Sequence, residues 1–278
     1  MITETFVLSS SYPDCTLTTY IHSPSAELAI NTRRAIIVCP GGGYSFLSDR
    51  EAEPVALKYF AEGLNVFLLR YSVGANAANY APLTEAALAI SHIRLNAEKY
   101  HVDPDYVFIT GFSAGGHLAA SAGTLWKLPL LTERLKSELG EGFYDGINRP
   151  TATVLCYPVI TCGEYGHLGS AQNLAGKLQL TEDDIAAFSL ENHVDETTSP
   201  AFIWHTFNDT AVPIQNTLMY ASALAAAKVP FEYHVYPDGP HGLSLCNKET
   251  WVNLPQLLCP TAQGWIDMAI RYVNDFKQ

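Results

Sequence analysis

The side chains whose types and spacing point most directly to chemistry are Ser113, Asp209 and His241. Ser113 is the centre of Gly111-Phe112-Ser113-Ala114-Gly115, a Gly-x-Ser-x-Gly pentapeptide. Chance supplies on the order of 0.1 such matches in a chain of ordinary Gly and Ser content, so the setting has to carry the weight. The pentapeptide falls between a predicted strand, Asp105 to Thr110, and a predicted helix, Ala114 to Trp126. A sharp strand-to-helix turn holds such a serine in strained φ/ψ, the glycines relieve the clash, and Oγ projects above the carboxyl edge of a sheet. A serine that only N-caps the helix after an ordinary βα turn is the alternative that the pentapeptide alone leaves open.

Serine is a poor nucleophile at neutral pH, so it needs a base, an acid to orient that base, and donors for a developing oxyanion. His241 lies in Gly239-Pro240-His241-Gly242, a loop after the last predicted strand, from which an imidazole can swing over the sheet edge. Asp209 follows the predicted strand Ala201 to Thr206, and the chain order Ser, Asp, His is one of the known orders of a catalytic triad. Asp238, three residues before His241, competes for the orienting role, although Pro237-Asp238-Gly239 reads as a turn. Pro40-Gly41-Gly42-Gly43-Tyr44 comes directly after the predicted strand Ala35 to Cys39. Its glycines let backbone N–H groups face negative charge, so the amides of Gly42, Gly43 and Ala114 are the expected oxyanion donors. Tyr44 is expected on the wall that meets the substrate. The glycine run lacks the spacing and the lysine of a phosphate-binding loop.

Other histidines carry weaker signals. His117 on the helix after Ser113 and His205 inside a strand read as hydrogen-bonded core residues. No HExxH motif or Cys/His cluster calls for a metal, and nothing calls for a cofactor.

The elements that must position these groups alternate from about Ala35 onward. Predicted strands at Ala35–Cys39, Asn65–Tyr71, Asp105–Thr110, Thr151–Tyr157, Ala201–Thr206 and Phe231–Tyr236 are separated by longer helical patterns. That order builds a mostly parallel sheet with helices on both faces, an α/β fold. The helical stretches are Glu51–Ala61, Pro82–Tyr100, Ala114–Trp126, Ile214–Lys228 and Ala262–Phe276. Lys127 to Pro150 and Ile160 to Pro200 break the alternation, the second with a capping-box start at Thr181 and Asp184. Neither has the strand content to own a core, so residues 1–278 are expected to form one domain with these insertions as a small lid.

Composition narrows the partners. With 278 residues, 48% of them hydrophobic and 16% charged, the chain can bury a sizeable core. Its net charge of −12 repels phosphate backbones and anionic lipid, which argues against nucleic acid and membrane surfaces. No apolar run reaches the 18 residues of a spanning helix, and Met1 to Cys15 does not read as a secretory signal. Six scattered cysteines without close pairs suit reduced thiols and a cytoplasmic setting. A homo-oligomer is left open.

Taken together, PGGGY at 40–44, GFSAGGH at 111–117, CYPVI at 156–160, FSLENHV at 188–194, HTFNDTAVP at 205–213 and GPHGL at 239–243 resemble the α/β-hydrolase superfamily. Within it the chain is similar to the lipase/esterase group whose oxyanion loop reads HGGG, including acetyl-xylan esterase-like and other carbohydrate acetyl esterases. Pro40 stands where that pattern has His, so the Gly amides carry over and a side-chain role at this position does not. The resemblance implies hydrolysis of short-chain carboxylic esters, acetyl above all, through an acyl-enzyme, with a small-molecule ester or an acetylated sugar as substrate. Three rivals remain: an arylformamidase-like amidase using the same residues, a prolyl-oligopeptidase-type peptidase, disfavoured because such enzymes carry a large propeller before the catalytic domain and only 112 residues precede Ser113, and a catalytically silent small-molecule-binding protein of the same fold.

Overall fold

The computed structural model describes residues 1–277. The first two strands, β1 (Thr5–Ser9) and β2 (Tyr12–Tyr20), form an antiparallel pair at one edge of the sheet. They were not expected from the sequence. β2 carries Pro13 and Asp14 and buries only part of its length, so neither its propensity nor its alternation stands out. Six parallel strands follow: β3 (Arg33–Cys39), β4 (Asn65–Arg70), β5 (Val102–Phe112), β6 (Thr153–Cys156), β7 (Ala201–Thr206) and β8 (Phe231–Tyr236). All eight join in one sheet of order β1-β2-β4-β3-β5-β6-β7-β8, with β2 antiparallel to β4.

Alternation along these strands divides the core between the two faces. In β3, Ala35, Ile37 and Cys39 pack on one side, while Ile36 and Val38 pack on the other. Helices α1 (Glu53–Ala61) and α8 (Trp265–Asp275) cover the second side through Val55, Tyr59, Trp265 and Ile270. Helices α2 (Ala81–Leu95), α3 (Ala114–Thr124) and α7 (Gln215–Ala226) cover the first through Ile90, Leu118 and Leu224. This is the doubly covered, mostly parallel sheet that the residue pattern predicts. Helix α2 ends five residues earlier than its apolar spacing suggests, at Leu95, because the chain must turn back through His101 (φ 50°) to enter β5 at Val102.

The two insertions have different fates. Helix α4 (Pro129–Leu139) and the turns up to Pro150 do not form a lid: α4 packs along α2, its Arg134 donating to the carbonyl of Asn79 and the hydroxyl of Thr84, and the chain then runs to the opposite edge of the sheet. There Arg94 donates to the carbonyls of Ile147 and Arg149, and the amide of Thr151 bonds to the carbonyl of Val107. None of the residues 127–150 lines the cleft that holds Ser113. The later insertion does line it, through His167, Gly169 and Asn173. It contains α5 (Leu168–Ala175) and α6 (Glu182–Phe188), the latter opened by a capping box between Thr181 and Asp184.

Candidate active site

Strand β5 runs through Gly111 and Phe112 to end at the residue before Ser113, which has φ 54° and ψ −116°. Such a backbone costs on the order of 1–3 kcal/mol and persists only where surroundings over-determine it. Here three backbone bonds do so: Ser113 N donates to Cys156 O (3.0 Å), while Ser113 O accepts from His117 N (3.0 Å) and Val159 N (3.1 Å). The glycines are needed for space. A Cβ on Gly115 would lie 2.2 Å from the carbonyl oxygen of Cys39, and one on Gly111 would lie 1.9 Å from the carbonyl oxygen of Gly115.

From this turn the serine hydroxyl meets the imidazole of His241, with Oγ 2.7 Å from Nε2. His241 Nδ1 lies 2.6 Å from Asp209 Oδ2. The other carboxylate oxygen of Asp209 accepts from the amides of Ala211 and Val212, each at 2.9 Å. Burial pushes the Asp209 carboxyl up, but the hydrogen bonds of His205 and His241 and the nearby backbone donors outweigh it and hold the group well below the usual carboxylate range. It is therefore ionised at any pH near neutrality. Asp238, the competing acid, is exposed, and among the described residues its carboxylate accepts a single long bond, from Asn208 Nδ2 (3.4 Å).

The glycine loop passes directly beside the serine, since a Cβ on Gly41 would come 3.1 Å from that of Ser113. Gly42 has φ 135°, and a Cβ there would lie 2.0 Å from the carbonyl oxygen of Phe46, so no other residue keeps this turn. Among the described residues, the amides of Gly42 and Gly43 have no hydrogen-bond acceptor. Ala114 opens α3, so its N–H has no intrahelical acceptor either. Tyr44 departs from expectation. It also has a positive φ, 56°, which turns its ring away from the cleft into the core, where its hydroxyl bonds to His117 Nδ1 at 2.9 Å. His117 completes its bonding with the carbonyl of Phe188 (2.9 Å), and burial pushes its imidazole down to about 4, as befits a neutral core residue. His205 is fully buried between Thr217 and Val212.

Several groups at the site were not legible beforehand. The side chain of Glu51, 4% exposed, accepts from the amide of Gly41 (2.9 Å) and from the hydroxyl of Tyr157 (2.7 Å). Tyr157 Oη accepts in turn from Ser244 N (2.8 Å), and its ring stands edge-on to the His241 imidazole at 5.1 Å. Arg50 donates through Nη1 and Nη2 to the carbonyl of Gly242 (3.0 Å from Nη1). Two adjacent charged residues thus tie the glycine loop to the histidine loop. In the sequence they look like the polar start of a helix. Glu51→Gln replaces one acceptor oxygen by a donor facing either an amide or a hydroxyl. It is expected to lower kcat about ten-fold by loosening the glycine loop and to lower Tm by about 5 °C, the effect of one badly matched buried bond in a chain this size. Thermal melts and ester kinetics on the same preparation check this.

These groups open onto a cleft of about 490 Å³ whose walls include Phe46, His167 and Asn173 besides Ser113 and His241. Asn173 on α5 donates to the carbonyl of Gly43 (2.9 Å), which joins the later insertion to the glycine loop. No group of three or more His, Cys, Asp or Glu side chains among the described residues is arranged to hold a metal ion.

The BD-FAE family model matches residues 21–224 of the chain. Endo-1,4-beta-xylanase B of Butyrivibrio fibrisolvens is 36% identical over 233 residues, which is 83% of this chain and 35% of that protein. The chain thus spans about a third of that relative, and 45 to 52% of other curated relatives. Among solved structures, an acetyl ester-xyloside bifunctional hydrolase from Caldicellulosiruptor lactoaceticus is 34% identical with a TM-score of 0.77, covering 94% of this chain and 88% of that one. A carboxylesterase from Lactobacillus plantarum superposes with a TM-score of 0.84 at 28% identity, over 99% of this chain and 98% of the other.

Proposed function

Because this chain belongs to the BD-FAE family and has the α/β-hydrolase fold, we propose that it is a serine carboxylesterase acting on short acyl esters, acetyl above all, of small alcohols including sugars. The observation that carries the reading is the unbroken line of hydrogen bonds from Ser113 through His241 to Asp209 beside a loop of unsatisfied amides.

In the proposed cycle Ser113 Oγ attacks the ester carbonyl as His241 Nε2 takes its proton. The amides of Gly42, Gly43 and Ala114 receive the oxyanion, and the fixed charge of Asp209 stabilises the imidazolium. His241 then returns the proton to the leaving alcohol, and water attacks the acyl-enzyme by the same route in reverse. The cycle uses no metal or cofactor. Exposed Phe46 and the hydroxyl and amide groups of Ser45, Ser48 and Asn173 give the cleft an apolar platform with polar neighbours, which suits a sugar alcohol. Six free, buried cysteines support a reducing, cytoplasmic setting for the described residues, and no helix among them is long and apolar enough to cross a membrane.

The test is a series of p-nitrophenyl esters from acetate to octanoate, run beside acetylated xylo-oligosaccharides and an acetanilide. We expect kcat/KM to be highest for acetate and to fall at least ten-fold by octanoate. A maximum at long chains removes the acetyl preference, and faster turnover of the anilide than of the matching ester makes the protein an amidase.

A further inference from the structure

His167 sits in the later insertion as the N-cap of α5, an unusual place for histidine. Its Nδ1 accepts from the amide of Ser170 (3.2 Å) and lies 2.8 Å from the Ser170 hydroxyl. A ring nitrogen that accepts from a backbone N–H carries no proton, so in the neutral imidazole the proton is on Nε2. Burial and the neighbouring His241 hold the ring below the ordinary imidazole range, and the positive end of α5 acts in the same sense. The ring edge reaches the glycine loop, with Cε1 3.5 Å from where a Cβ on Gly43 would stand, and His167 lines the cleft that holds Ser113. Nε2 has no partner among the described residues.

We infer that His167 is a specificity-determining residue whose Nε2–H donates a hydrogen bond to a hydroxyl or ring oxygen of the ester's alcohol, so that the cleft favours polyhydroxylated leaving groups. The inference rests on the esterase reading above. Three observations support it together. The donor is fixed in one tautomer by the cap. It belongs to a residue that lines the cleft, and it has no hydrogen-bond partner among the described residues. Asn or Ser caps a helix better than His, so capping alone does not account for the residue. The oxyanion already has three amides, which leaves the alcohol side as the place for a fourth donor.

The experiment measures kcat/KM for acetylated xylo-oligosaccharide and for p-nitrophenyl acetate, whose alcohol bears no aliphatic hydroxyl, in the parent, His167→Asn, His167→Ala and Ser113→Ala. Asparagine restores the cap but cannot place a donor where Nε2–H stands. The ratio of sugar ester to p-nitrophenyl ester is expected to fall about five-fold or more in both His167 variants, the effect of one lost hydrogen bond to substrate. A ratio within two-fold of the parent in a folded His167→Asn overturns the inference and leaves His167 a cap. Failure of the parent to turn over the sugar ester also overturns it, while hydrolysis of p-nitrophenyl acetate would leave the esterase reading standing. Retention of both activities in Ser113→Ala sinks the esterase reading, and this inference with it.

Discussion

Ser113→Ala is expected to lower kcat/KM for p-nitrophenyl acetate by a factor on the order of 10⁴ to 10⁶ without unfolding the protein. The size follows from what Oγ does in the proposed cycle. It supplies the covalent bond of the acyl-enzyme, and no other hydroxyl lies within hydrogen-bond distance of His241 Nε2 among the described residues. What remains is catalysis by the amide donors and by binding, the residue left when a triad member is removed. Folding is unaffected because the bonds that hold the turn run through the backbone of residue 113, and alanine meets the same cost as serine at φ 54°. A Tm within about 2 °C of the parent is therefore the control, since one lost partly buried contact shifts a chain of this size by no more. Labelling by an organofluorophosphonate should disappear in the same variant. Persistence of the label, or retention of most of the activity, would remove Ser113 as the nucleophile.

The second large effect separates two aspartates. Asp209→Asn is expected to cost about 10⁴ in kcat, whereas Asp238→Asn should change it less than two-fold. The tautomer explains the difference. Asp209 uses one oxygen to accept from the amides of Ala211 and Val212 and the other to face His241 Nδ1. Asparagine keeps the first arrangement by placing its carbonyl oxygen against those two amides, which puts its NH₂ against Nδ1. The imidazole must then accept at Nδ1 and carry its proton on Nε2, where it cannot take one from Ser113. Asp238 makes no contact with His241; its carboxylate is exposed and touches Asn208. Equal losses in the two variants, or a larger loss at Asp238, would reassign the orienting acid.

Much of this arrangement was legible along the chain. The strands β3, β4, β6 and β7 and the second half of β5 announce themselves because they are covered on both faces and so read as short apolar runs between helical spacings, whereas β8, an edge strand with no buried residue, is legible from its β-branched and aromatic residues. The Gly-x-Ser-x-Gly turn is legible because close packing of backbone on backbone at Gly111 and Gly115 admits no side chain, a demand that only one residue type meets. The edge pair β1 and β2 left no such mark, being half exposed and interrupted by proline and aspartate.

By itself the sequence determined the layered fold and the order of the elements and picked out Ser113 and His241 as candidates for one sheet edge, because periodicity and turn chemistry are local and repeat along the chain. Tertiary structure decided the rest. It alone keeps 127–150 out of the cleft, turns Tyr44 into the core, sets Asp209 rather than Asp238 against His241, and makes a clamp of half-buried Arg50 and buried Glu51. Each of these depends on which distant backbone faces a side chain after folding, and neither residue type nor spacing carries that information.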